Sequence, residues 1–93
     1  MRLFTILAAE SVDDDHPAHD WFLDRYRERR RTLADRLSAA QRDGHIDRAL
    51  DPEKVASEIL ALFDGLQIQW LLDPEGVDMV AVFEDFLARL LPR

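Results

Sequence analysis

His16 and His19 are the residues whose type and spacing most invite chemistry. One helical turn separates the two imidazoles, Asp15 and Asp20 flank them, and histidine is a common metal ligand. No third ligand is fixed by spacing, so the cluster reads as a capping and surface feature and no metal site is assigned. The run Arg25, Arg27, Arg29, Arg30 and Arg31 suggests phosphate contacts. Asp24, Glu28 and Asp35 interleave with it, however, and make it a solvated, salt-laced helix face. Nucleophilic catalysis needs a nucleophile beside a base, and Ser11, Ser38 and Ser57 have no such neighbours. No catalytic residue, metal or cofactor follows, and the chain is not expected to be an enzyme.

Binding chemistry is better supplied. Phe22 and Tyr26 on one helix, with Phe63, Gln67 and Trp70 on another, can face one interior, and aromatic walls with few polar groups suit a small-molecule cavity. The same five residues would equally make an ordinary core. Gln67 leans toward a cavity, because an amide between Phe63 and Trp70 needs a hydrogen-bond partner that a ligand or water supplies.

The elements that must position these residues are helices. No alternating Val/Ile/Thr-rich run appears, and the three glycines and four prolines sit at punctuation points. A first helix is expected over residues 3 to about 12, with Leu3, Phe4 and Leu7 on one face, ending at the acidic turn Asp13, Asp14, Asp15. Asp15 or His16 can cap a second helix with Pro17 at its first position, Asp20 at its positive end and Gly44 closing it. Phe22, Tyr26, Leu33, Leu37 and Ala40 form its apolar stripe. Asp51, Pro52 and Glu53 open a third helix that runs to about Leu72, where Asp73, Pro74, Glu75 and Gly76 stop it. A fourth runs from about Val77 or Asp78 to Leu91. The expected architecture is all-α, a small antiparallel bundle of about four helices forming a single domain over 1–93.

Composition bounds the function further. A chain of 93 residues has a thin stability margin that a partner subunit widens. The net charge of −7 repels nucleic acid phosphates, and the strong preference for arginine, with Lys54 the single lysine, carries no mechanism. No cysteine is present, which suits a reducing compartment and a cytoplasmic location. The opening residues 1–9 look like the start of a secretory signal, but the apolar run is short and meets Glu10 and the Asp13 turn. The later apolar stretch at 60–72 is short for a bilayer and carries Asp64, Gln67 and Gln69, so no membrane anchor is expected.

The last two helices are apolar on more than one face. On the third, Ile59, Phe63, Leu66 and Trp70 make one stripe, and Val55, Leu62, Gly65, Gln69 and Leu72 make a second that contains a glycine where a neighbouring backbone can approach. On the fourth, Met79, Phe86 and Leu90 lie beside Val80, Phe83 and Leu87. Surplus apolar width of this kind predicts a two-fold homodimer interface built from Val55, Leu62, Gly65, Gln69, Leu72 and Phe86.

Three strings carry a family resemblance. LALFDGLQIQWLLDP at 60–74 resembles the penultimate helix of TetR-type transcriptional regulators; LFTILAAE at 3–10 and DHPAH at 15–19, with Arg25, Tyr26 and Arg27, are similar to earlier parts of the same region. The resemblance covers essentially the whole chain and is closest to the C-terminal regions of the BetI-like branch. It implies a helical domain that dimerises through its last two long helices and encloses a pocket for an effector, here an unidentified and apolar small molecule. Regulators of this type read DNA through an N-terminal helix-turn-helix, and nothing in these 93 residues offers a basic recognition helix, so direct DNA binding by the chain is not expected. The alternative is a structural self-association module without a ligand, able to pair with an intact regulator.

Overall fold

The computed structural model describes residues 2–92, and side chains from residue 6 to 92. Four helices follow one another: α1 (Arg2–Glu10), α2 (His19–Arg42), α3 (Pro52–Leu72) and α4 (Met79–Ala88). No strand occurs among the described residues. The all-helical expectation and the element order hold; the expected positions of the Leu3 and Phe4 side chains lie outside the described residues.

The caps explain the helix ends. Asp51 accepts the Glu53 N–H at 3.0 Å with Pro52 at the first helical position, so the start of α3 falls where the sequence places it. Asp78 caps α4 by accepting from Ala81 N at 3.0 Å. At the end of α2, Gly44 takes φ +80°, and the Gly44 and His45 amides donate back to Gln41 and Ala40.

Two ends differ from the sequence reading. The second helix begins at His19 rather than Pro17, and its cap residue Ala18 makes no side-chain cap bond. The groups expected to cap it are spent in a turn: His16 Nδ1 accepts the Ala18 N–H at 3.1 Å, and the His16 amide bonds to Asp13. At the other end of the chain, Arg89, Leu90 and Leu91 leave the α-helical pattern and donate three residues back, a tighter turn that shortens α4 relative to the expected Leu91.

The pairing of α2 with α3 is the most extensive, and it is antiparallel: Tyr26 near the start of α2 meets Asp64 late in α3. α1 leans on α3, and α4 folds back along it. Phe83 meets Phe63 edge-on, with ring centroids 6.3 Å apart, and the Leu90 carbonyl accepts the Asp47 N–H at 2.8 Å in the α2–α3 connection. Gln41 holds that connection from α2, donating to the carbonyls of Leu50 at 2.7 Å and Asp47 at 3.1 Å.

The result is a slab with principal extents of 42 × 34 × 15 Å. Its buried apolar core is small: Phe22, Ala34, Val55, Ala56, Leu66 and Leu90. At 21 residues α3 is long and apolar enough, by length and composition, to cross a membrane. Here its first half packs inside the domain through Val55 and Ala56, and its polar Asp64 is tied to α2.

Candidate functional site

The side chains expected to share one interior do not line a single cavity. Phe22 is buried and Tyr26 half-buried on α2; Gln67 is buried on α3; Phe63 and Trp70 are 41% and 46% exposed. Phe22 and Tyr26 line an open cleft of about 190 Å³ between the end of α1 and the start of α2, together with Ala8, Ser11, Val12, His19 and Leu23. Phe63, Gln67 and Trp70 are not part of this lining.

The cleft is held in shape by its own polar groups. Ser11 Oγ donates to the Ala8 carbonyl at 2.8 Å, and the Ser11 carbonyl meets His19 Nδ1 at 2.7 Å, so α1 is pinned to the first turn of α2. His19 Nε2 lies 3.5 Å from Asp14, and His16 Nε2 lies 3.9 Å from Glu10. The histidine pair therefore joins the two helices and their turn. Trp21 packs edge-on against Phe22 at 4.8 Å, and the Arg25 guanidinium sits 5.3 Å above the Trp21 ring.

Tyr26 connects the cleft to α3. Its hydroxyl donates to Asp64 Oδ2 at 2.5 Å. Burial, then the bond to Asp64 and that carboxylate's charge, push the phenol up to about 12, while nearby Arg29 opposes the shift. At neutral pH the phenol is thus a fixed donor facing α3.

Outside the cleft, α3 and α4 carry exposed apolar side chains. Ile68, Leu71 and Leu72 on α3 are exposed, Leu72 to 81%; on α4 and its terminal turn Val80, Leu87 and Leu91 are exposed, Val80 to 65%. Val80 and Leu87 are seven residues apart and so share one flank of α4. Of the six residues expected at a subunit face, Leu72 and Gln69 are exposed on α3, and Leu62, Gly65 and Phe86 are half-buried. A Cβ added at Gly65 would meet nothing within 4 Å, so the backbone there is open to approach. Val55 differs: at 4% exposure it belongs to the protomer's own core, as do Leu66 and Gln67 later on α3.

Residues 1–92 match the family model described as BetI-type transcriptional repressor, C-terminal. The chain belongs to that family. No curated protein and no solved structure matches it. This repressor domain carries both features, the cleft and the exposed apolar side chains of α3 and α4, with α3 joined to the cleft through the Tyr26–Asp64 bond.

Sequence reasoning missed Ala8, Val12 and Leu23 as lining residues, although the spacing of His19, Leu23 and Tyr26 already sets them on one face of α2. It also missed a wide groove of about 660 Å³ between the middle of α2 and the start of α3, where Arg30, Arg31 and Lys54 face Asp35, Asp51 and Glu53. Both signs of charge line that groove and the site is open to solvent. It is a solvated surface of mixed charge rather than an apolar binding site.

Proposed function

We propose that this domain is the dimerisation and effector-sensing part of a cytoplasmic BetI-type repressor, joining two copies through the open apolar side of α3 and α4. The observation that carries the association is the surface area. The chain exposes 6924 Å², whereas a compact monomer of its mass exposes only about 5,500 Å². The excess of roughly 1,400 Å² exceeds the roughly 800 Å² per partner of a standard interface. Ile68, Leu72, Val80 and Leu87 are among the large apolar side chains left in water. Effector sensing is supported by the cleft beside Phe22 and Tyr26, which communicates with α3 through Asp64.

Leu72→Arg tests the association. Leu72 is too exposed for the change to disturb the protomer, but the substitution places a charge from each copy in the apolar contact, where an uncompensated buried charge costs about 3 to 5 kcal/mol. Light scattering behind a sizing column is expected to give two chains per particle for the wild type and one for Leu72→Arg. A monomeric wild type at micromolar concentration, or a variant that still dimerises, refutes the proposal.

A further inference from the structure

We infer that the cleft between α1 and α2 takes a compact, uncharged ring molecule, of the size of toluene or indole, and rejects carboxylates. This rests on the effector-sensing half of the proposed function and adds to it the location and the chemical class of the occupant. Size comes first. The cleft measures about 190 Å³, and an apolar cavity of about 150 Å³ already holds benzene. Sites for drug-sized ligands begin at about 300 Å³, so a larger effector would extend past these walls into solvent.

Chemistry follows from where the donors point. Ala8, Val12, Phe22 and Leu23 supply hydrocarbon walls. Each polar side chain in the lining has its proton committed elsewhere: Tyr26 O–H to Asp64, Ser11 O–H to the Ala8 carbonyl, and His19 through Nδ1 to the Ser11 carbonyl. None of these is left to donate to an anion. The surroundings are also mainly acidic: Asp13, Asp14 and Asp15 follow Val12 at the rim, Asp14 lies against the outer nitrogen of His19 and Asp64 holds Tyr26, against Arg29 as the cation acting on Tyr26. An anionic ligand would therefore lose its hydration, find no donor and face like charge. A neutral ring loses nothing of the kind, and an N–H or O–H on it can still be accepted by the spare lone pairs of the Tyr26 or Ser11 oxygens.

The test is a titration of the ¹⁵N-labelled full chain, at neutral pH, with toluene, indole and benzoate, read by amide chemical shifts. Toluene and indole are expected to move the Ala8, Val12 and Leu23 resonances saturably, with benzoate weaker by roughly tenfold or more. Ala8→Leu fills the cleft and should abolish the response; mapping on the wild type stands independently if that variant fails to fold. Benzoate binding as tightly as indole overturns the assigned class. Shifts centred on Phe63 and Trp70 with a silent cleft overturn the assigned place but leave effector sensing standing. Silence with all three probes overturns the inference, while a two-chain particle on the sizing column in the same samples keeps the association reading intact.

Discussion

Removing one hydroxyl, in Tyr26→Phe, isolates the link between the cleft and α3. The substitution keeps the ring and deletes only the donor that reaches Asp64 at 2.5 Å. A hydrogen bond to a charged acceptor contributes about 1.5 to 3 kcal/mol net, and the lower end applies because solvent reaches both half-buried groups. Its removal is expected to cost about 1.5 kcal/mol at pH 7, or a fall in Tm of roughly 5 to 10 °C for a domain of this size. The phenol, pushed up from 10.0 to about 12 by burial first and then by the bond to Asp64, sets the pH range in which the donor is lost. Because the folded value lies above the unfolded one, the stabilisation is complete below pH 10 and disappears as the pH rises from 10 through about 12. Urea unfolding of both proteins, followed by circular dichroism at pH 7 and again near pH 12, reads the difference directly. Equal stability at pH 7 refutes the argument. So does a gap between the two proteins that persists unchanged to pH 12.

Two further outcomes are expected from the protomer alone. Leu66→Ala, at a site only 3% exposed, should cost about 2 to 5 kcal/mol with an unchanged urea slope, and a loss below about 1 kcal/mol in equilibrium unfolding contradicts its place in the core. Gly44→Ala meets no steric neighbour but must adopt φ +80°, so it should destabilise by roughly 1 kcal/mol in the same assay; a neutral result contradicts the left-handed turn.

Where a single residue decides local structure, the sequence was readable. Asp51 with Pro52, and Gly44 after a long polar-apolar pattern, place two boundaries by cap chemistry alone. Asp15 and His16 carried a similar signal and misled, since a histidine ring that accepts from the next turn competes with the helix for the same amides. The stripes on α3 were legible as apolar but not as inner or outer. Val55 and Leu72 belong to one stripe by spacing, yet one is buried in the core and the other, at the last residue of α3, is bare. Likewise the aromatic set was legible residue by residue, while which of its members line the cleft and which meet α4, as Phe63 meets Phe83, depends on how α1 and α4 dock. Periodicity does not encode that.

The clasp at Gln41 is a local one: its side chain ties carbonyls only a few residues away, so little chain entropy is at stake in closing it. Asp47, inside the loop so held, donates its amide to the Leu90 carbonyl just beyond α4. A short, easily closed loop thus serves as the mooring for a long-range contact, and loosening Gln41 is expected to release the terminal turn along with the connection.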